Sequence, residues 1–224
     1  MKAVKRVKGN APAFKLSMTL SQIQDMKAHL DLHNIADVRM WCVINMCFYG
    51  LLRISSVTVP CASDWDITRI LTRGDIQITS HGCILTFRWS KTIQFRERTF
   101  QAVLPHLPNS SACPTTALIN FLQLSGPLPD SAPGLAFRGV NGQVNVLTPA
   151  AARQRLQQVF LAMGLNSKDY SSHSLRRSGA THLLSAGVPI EVIKILGDWK
   201  SDCVFKYLKP NPSSKLEMVN KLFC

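Results

Sequence analysis

Residues 170–208 read YSSHSLRRSGATHLLSAGVPIEVIKILGDWKSDCVFKYL, and this stretch carries the most information in the chain. His173 and Arg176 lie three residues apart at the start of a predicted helix, so their side chains share one face. The backbone N–H groups and the positive end of the helix dipole lie beside them. A planar guanidinium, an imidazole and a helix N-terminus together form a receptor for one phosphate group. Trp199 and Tyr207 follow further along the same stretch.

The chain as a whole is strongly basic. Its 224 residues include 26 Lys and Arg against 13 Asp and Glu, which gives a formal net charge of +13. An excess of this size indicates a polyanionic partner, which could be DNA, RNA or an anionic membrane surface. The apolar fraction of 46% is that of a globular protein with a core, and it argues against a disordered chain.

Composition also argues against several classes of protein. No apolar run approaches the ~18–20 residues that a membrane span needs, and the basic N-terminus is not followed by the apolar stretch of a secretory signal. None of the seven cysteines forms a C-x-x-C pair, which argues against a zinc site and against a disulfide framework. We therefore expect a reducing, intracellular compartment.

The order of predicted elements indicates a mixed α+β fold, with helices on both sides of a few strands. Segments 73–79, 83–90 and 95–104 are predicted as strands of a small antiparallel meander, the second of them from its alternating side chains. Helical spacing and capping residues predict helices at 19–32, 35–52, 114–125, 149–163, 173–186 and 189–196, then a short helix at 203–208 and a tail helix at 213–222.

The stretch quoted above resembles the C-terminal signature of the tyrosine recombinases, also called phage-type integrases, which share a catalytic domain with the type IB topoisomerases. The H-x-x-R pair of that family corresponds to His173 and Arg176. The helix that ends in Leu-Gly corresponds to the one that ends at 196–197, and the nucleophilic tyrosine corresponds to Tyr207. The segment Gly-x-Trp-x-Ser-Asp at 197–202 is most similar to recombinases of eukaryotic mobile elements, the Crypton and DIRS groups.

Two upstream motifs complete the resemblance, which runs from about residue 17 to residue 208. The family's G-L/M-R-x-S-E segment corresponds to GLLRISS at 50–56, with Arg53 as its arginine. A lysine in a β-hairpin turn corresponds to Lys91 in WSKTIQF. The resemblance implies a mostly helical catalytic domain with a small three-stranded antiparallel sheet over 17–209, a basic flexible lead over 1–16 and a C-terminal tail helix over 210–224.

The resemblance also implies a role for each of these side chains. Arg53 and Arg176 would bind the non-bridging oxygens of the scissile phosphate and stabilise the charge that develops in the transition state. Tyr207 would attack the phosphorus, and Lys91 would protonate the leaving 5′ oxygen.

Two further residues would assist this reaction. His173 would donate a hydrogen bond to the phosphate or assist in removing the proton from the tyrosine, and Trp199 would donate its indole N–H and pack against Tyr207. The intermediate would be a 3′-phosphotyrosine with a free 5′-hydroxyl. Because this linkage conserves bond energy, no ATP, metal or other cofactor is implied.

The sequence departs from the family pattern at three places. The family's His or Trp lies nine residues before the tyrosine, where this chain has Asp198, with Trp199 one residue later, so either residue could occupy that position. Ser56 replaces an acidic residue that usually follows the first arginine. About 50 residues precede Arg53, so we expect a catalytic fragment without the family's N-terminal clamp domain.

We therefore predict a DNA recombinase that acts on double-stranded DNA as a homotetramer, with no membrane and no small-molecule substrate. A catalytically inactive, domesticated DNA-binding domain and a monomeric type IB-like topoisomerase are the alternatives. An origin in a eukaryotic mobile element would imply the nucleus, and any other origin the cytoplasm or nucleoid. Cations expected to hold the duplex are Lys2, Lys5, Arg6, Lys8, Arg69, Arg73, Arg88, Arg96, Arg98, Arg138, Arg153, Arg155, Arg177, Lys194 and Lys200.

Overall fold

A computed structural model describes residues 15–89, 93, 98–201, 204–205, 216 and 219–220. Helices surround one small sheet, and a second, two-stranded sheet lies between two of the helices in the sequence. The elements in chain order are α1 (Leu20–Asp25), α2 (Ile35–Tyr49), β1 (Ile76–Thr79), β2 (Gly82–Phe87), β3 (Phe100–Pro105), α3 (Pro114–Leu124), β4 (Phe137–Arg138), β5 (Val144–Asn145), α4 (Pro149–Ala162), α5 (Ser172–Ser185) and α6 (Ile190–Leu196).

The predicted three-stranded antiparallel sheet is confirmed. Its order is β1-β2-β3, with Ile76 paired with Leu85 and Phe87 paired with Phe100. The first strand begins three residues later than predicted, because the Asp75 carboxylate accepts hydrogen bonds from the N–H (2.9 Å) and the hydroxyl (2.7 Å) of Thr72. These bonds close a 3-10 turn before the strand starts.

The α2 helix is the centre of the core, as its apolar sequence predicts. Asn34 caps its first turn by accepting a hydrogen bond from the N–H of Ala36 at 2.9 Å. Each residue from 37 to 48 is buried. The helix ends three residues earlier than predicted, because the chain turns into left-handed backbone at Leu51, with φ 50°.

The α5 helix packs directly against the C-terminal end of α2. A Cβ atom added to Gly179 would come well under 3.0 Å from the carbonyl oxygen of Phe48 and from the Leu51 side chain. No other residue type allows this approach without moving one of the two helices. The contact brings the N-terminal half of α5 next to the end of α2, where the predicted site residues lie.

The sequence of 126–142 predicts a surface loop with a short extended piece, LAFRG, at 135–139, and β4 falls within that piece, whereas its pairing with β5 was not predicted. Buried Arg39 on α2 donates from Nη1 to the backbone oxygen (3.2 Å) and to the side-chain oxygen (3.0 Å) of Asn145. Its guanidinium also lies 4.6 Å from the centre of the Phe137 ring. Burial lowers the pKa of Arg39 to about 10, so the group stays charged at neutral pH.

Some cations expected to hold DNA instead bind the protein itself. Arg73 donates from Nη2 to the Ser125 hydroxyl (2.7 Å) and to the Ala136 carbonyl (2.6 Å). Arg155 forms a two-point ion pair with Asp37, with both nitrogen–oxygen distances at 2.7 Å. Both arginines thus have a structural role inside the fold, which the sequence did not predict.

Within the described ranges, no helix is long and apolar enough to cross a membrane. Over the same residues, no cluster of His, Cys, Asp or Glu side chains is arranged to hold a metal ion. Residues 1–14 of the predicted lead over 1–16 lie outside the described residues, and so do most of the predicted helices at 203–208 and 213–222.

Candidate active site

The α5 helix begins at the predicted position, and its cap explains why. The Ser171 hydroxyl accepts a hydrogen bond from the N–H of His173 at 3.3 Å, and the Ser174 hydroxyl accepts one from the N–H of Ser171 at 3.1 Å. This reciprocal arrangement fixes the start of the helix. Arg176 then lies near its N-terminal end.

Arg176 joins three separate parts of the chain. Its Nη1 donates to the carbonyl oxygen of Leu51, and its Nη2 donates to that of Gly197 at 2.6 Å. Its guanidinium carbon lies 4.0 Å from the centre of the Trp199 ring, within the range of a cation–π interaction. The residue is only 2% exposed, so it is more deeply buried than the sequence predicted for an arginine on the surface of a helix.

Both carbonyl acceptors of Arg176 lie beside left-handed backbone. Leu51 has φ 50°, and Asp198, which follows Gly197, has φ 52°. A left-handed conformation is unusual for a residue as bulky as leucine and persists only where the surroundings enforce it. The buried Leu51 side chain and the hydrogen bond from Arg176 supply that enforcement.

His173 lies one helical turn before Arg176, and its side chain is exposed. Partial desolvation and the positive charges of Arg53, Arg176, Arg153 and Arg177 lower the pKa of His173 below its ordinary value of 6.5. The imidazole is therefore neutral at pH 7, which lets it accept a proton from a nucleophile or donate one hydrogen bond.

Arg53 lies just after the end of α2 and begins the 3-10 turn Ile54–Ser56. Its side chain is half-buried, and its charge is close enough to His173 to disfavour the protonated imidazole. The structure therefore brings together four of the six predicted residues, namely Arg53, His173, Arg176 and Trp199.

Arg153 and Arg177 add two further cations to this site. The sequence named them only among the residues expected to hold a duplex, and it contains no motif that would set them apart. Arg177 directly follows Arg176 and is buried, whereas Arg153 lies on α4 and is exposed. Arg177 lies four residues after His173 on α5, so helical spacing brings it near, whereas the proximity of Arg153 depends on the packing of α4 and α5.

The open choice between Asp198 and Trp199 is resolved by their contacts. The Trp199 ring is buried and packs on Arg176, whereas the Asp198 carboxylate accepts a hydrogen bond from Arg98. A Cβ on Gly197 would come well under 3.0 Å from the indole, so the glycine makes room for this ring position. Trp199 is thus the residue that contacts the site.

The remaining two predicted residues, Lys91 and Tyr207, lie outside the described residues. Their predicted roles therefore stay predictions. The sequence places Lys91 in the connection between β2 and β3, and it places Tyr207 eight residues after Trp199.

Comparisons with known proteins agree with this fold. Residues 134–212 match the model of the phage integrase family, and this segment includes four of the six predicted residues. The XerA recombinase has a structure similar to that of this chain, with a TM-score of 0.67. The XerH site-specific recombinase is similar as well, with a TM-score of 0.66. The chain has the fold of a tyrosine recombinase catalytic domain.

These similar structures have low sequence identity to this chain. XerA is 16% identical, and the match covers 97% of this chain and 67% of XerA. XerH, solved in a post-cleavage complex with a palindromic difH substrate, is 14% identical, with 97% of this chain and 55% of XerH covered. The Tn1549 transposon integrase, solved with transposon right end DNA, is 14% identical at a TM-score of 0.58, with 99% and 70% covered. This chain thus spans little more than half of XerH, and a search of curated proteins gave no match.

The recombinase fold confirms the predicted fold class. The comparisons show no particular similarity to the Crypton and DIRS recombinases.

Proposed function

We propose that this chain is the catalytic domain of a DNA recombinase that cleaves and rejoins duplex DNA through Tyr207. The observation that carries this proposal is the arrangement around Arg176. Arg53, His173, Arg176 and Trp199, which come from three separate parts of the sequence, lie together in the fold.

The charge of this cluster suits phosphodiester cleavage. Attack by an oxygen nucleophile builds negative charge on the non-bridging oxygens of the phosphate in the transition state. Arg53 and Arg176 can stabilise that charge, and the charges of Arg153 and Arg177 add to the same field. The interaction strengthens as the reaction proceeds, so it lowers the barrier more than it stabilises the bound substrate.

The proposed reaction needs two proton transfers. A free phenol has a pKa of about 10, so Tyr207 requires the cationic field and a nearby base to attack at neutral pH. His173 can act as that base because the lowered pKa keeps its imidazole neutral. The oxygen of Tyr207 forms a bond to phosphorus, the bond to the 5′ oxygen breaks, and Lys91 protonates the 5′ oxygen. No ATP or metal ion takes part in these steps.

We propose double-stranded DNA as the substrate and a homotetramer on DNA as the active assembly. The net charge of +13 supports a nucleic-acid partner, and the solved XerH and Tn1549 integrase structures contain DNA. We place the protein in the compartment that holds its DNA, which is the nucleus for a eukaryotic mobile element and the nucleoid otherwise.

A covalent-trapping experiment tests the nucleophile. The protein is incubated with a library of nicked duplexes of randomised sequence, in which the short cleaved fragment diffuses away and leaves the enzyme attached. Adducts are captured after denaturation in SDS, and their DNA is sequenced. We expect one enriched sequence for the wild-type protein, in EDTA as well as in Mg²⁺, and no adduct for Tyr207→Phe.

Three outcomes would contradict the proposal. An adduct that survives Tyr207→Phe excludes this tyrosine as the nucleophile. Salt-dependent DNA binding without any adduct supports the inactive DNA-binding domain. Relaxation of supercoiled plasmid, without joining of two DNA molecules, supports the monomeric topoisomerase.

A further inference from the structure

One ion pair links the sheet to the turn that holds Arg176. Arg98, two residues before the start of β3, donates from Nη2 to the carboxylate of Asp198. The Asp198 side chain is only 10% exposed, whereas that of Arg98 is 35% exposed. An aspartate this buried interacts more strongly with its partner than one in an open surface pair.

The backbone conformation at Asp198 is one that glycine usually adopts, so an aspartate at this position is unusual. The N–H of Trp199 bonds to the carbonyl of Lys194 at 2.9 Å, and the N–H of Asp198 bonds to that of Ile195 at 3.2 Å. This is a Schellman motif at the end of α6, and its left-handed position usually holds glycine. Asp198 holds that position with φ 52°, so the chain accepts backbone strain in return for a carboxylate.

The turn at Asp198 also provides two contacts of Arg176, one with Gly197 and one with Trp199. The residue before Asp198 is Gly197, whose carbonyl accepts the hydrogen bond from Arg176 at 2.6 Å. The residue after it is Trp199, whose ring packs on the guanidinium at 4.0 Å. A shift of the Asp198 backbone therefore moves a hydrogen-bond acceptor and a stacking partner of Arg176 together.

We propose that Arg98 and Asp198 are positioning residues that hold Arg176 in place for the scissile phosphate. This inference rests on the proposed function. The ion pair fixes the left-handed turn, the turn fixes Gly197 and Trp199, and these two fix the guanidinium. Neither Arg98 nor Asp198 contacts the phosphate in this account.

The alternative role for Arg98 is a direct contact with a DNA phosphate. A variant that changes the charge at Asp198 distinguishes this role from positioning. Asp198→Asn removes a negative charge, so it leaves DNA binding unchanged or makes it tighter. If Arg98 only contacts DNA, Asp198→Asn does not slow cleavage. If the pair positions Arg176, Asp198→Asn slows cleavage by about tenfold without weakening binding.

The test measures single-turnover cleavage of the enriched nicked duplex at saturating protein, together with the Kd for that DNA. We expect Asp198→Asn, Asp198→Gly and Arg98→Ala each to slow cleavage, and the Arg98→Ala/Asp198→Asn double variant to be no slower than either single variant. The matched control is Asp66→Asn, which breaks an exposed ion pair with Arg69 at 3.3 Å and leaves cleavage unchanged.

Two readouts separate positioning from loss of folding. Glycine relieves the left-handed strain, so Asp198→Gly keeps the Tm within about 4 °C of the wild type although cleavage slows. A methylphosphonate at the scissile position lacks one charged oxygen, so a misplaced Arg176 matters less and the penalty of each variant shrinks. An equal penalty on both substrates, additive single variants or wild-type cleavage by Asp198→Asn would each overturn the proposal.

A DNA-independent measurement keeps this inference separate from the proposed function. A wild-type protein that forms no Tyr207-dependent adduct refutes the proposed function. The side-chain Nε–H NMR signal of Arg176, assigned with Arg176→Lys, still tests the positioning. We expect Asp198→Asn to move this signal and Asp66→Asn to leave it in place, and a signal that Asp198→Asn does not move would overturn the inference.

Discussion

At the scale of single residues, the site depends on how one guanidinium and one imidazole are surrounded. Arg176 donates to two backbone carbonyls and packs on Trp199, so its orientation is fixed before any substrate binds. Lysine cannot reproduce this, because an ammonium lacks the planar fork that reaches two carbonyls and a ring at once. Partial desolvation, together with the neighbouring arginines, lowers the pKa of His173 and favours its neutral form.

We expect Arg176→Lys to slow cleavage by about 100-fold or more, although the positive charge remains. Single-turnover cleavage and the Tm measured together check this expectation. Arg177→Lys is the matched control, since it makes the same change at the next residue. Cleavage by Arg176→Lys at the wild-type rate would show that charge alone is sufficient at this position.

The lowered pKa of His173 predicts a specific pH dependence. If the neutral imidazole is the active form, the cleavage rate declines as pH falls through the pKa of His173, at a lower pH than for an unperturbed imidazole. In Arg153→Ala one cation near His173 is absent, so its pKa rises and the decline begins at a higher pH. A pH–rate profile of both proteins measures the shift, and a decline that moves the other way contradicts the assignment.

At the scale of elements, the site depends on how closely α5 approaches α2. Gly179 has no side chain to separate the two helices, and the carbonyl of Phe48 and the left-handed Leu51 lie against it. This approach places the acceptor on Leu51 within reach of Arg176. The geometry of the site therefore follows from one glycine in the interface between two helices.

We expect Gly179→Ala to lower the free energy of unfolding by about 1–3 kcal/mol, because the methyl group forces the helices apart. The cleavage rate should fall by more than the loss of folded protein explains, since Leu51 moves with α2. Gly139→Ala is the control, because its Cβ would meet the end of a flexible Asn141 side chain at 3.2 Å and the backbone oxygen of Gln143 at an ordinary contact distance of 3.6 Å. Chemical denaturation and single-turnover cleavage of both variants test this, and equal stability of the two would contradict it.

Sequence was a good guide to where helices begin and a poorer guide to where strands begin and where α2 ends. Caps such as Thr19 and Ser171 act through neighbouring N–H groups, so local sequence predicts them. The end of α2 is set by left-handed Leu51, which tertiary contacts enforce and no local pattern reveals. The motif predicted which residues gather at the site, but it did not predict the burial of Arg176, which depends on carbonyls far away in the chain.

At the scale of the whole molecule, the charge of +13 divides into cations that hold the fold and cations that remain available to a partner. Arg39 and Arg73 are hydrogen-bonded to the β4-β5 region and its neighbours, and Arg155 is paired with Asp37. Arg153 is exposed beside His173. Only cations of the second kind release counterions from DNA when the complex forms.

This division predicts different salt dependences for two arginine variants. Arg153→Ala should reduce the slope of log K against log salt by about 0.9, as expected for the loss of one phosphate contact. Arg73→Gln should leave the slope unchanged and lower the Tm instead, because its donors serve Ser125 and Ala136. Binding titrations at four salt concentrations measure the slopes, and a reduced slope for Arg73→Gln would contradict the division.

The contacts of Arg176 also determine when the site is formed during folding. One acceptor lies 125 residues before Arg176 and the other lies 21 residues after it, so the guanidinium is in place only when both ends of this long segment have folded. A nascent, truncated or partly unfolded chain still carries the same basic residues and can still adhere to DNA. Such a chain lacks an organised Arg176, so under the proposed function only completely folded molecules would cut DNA.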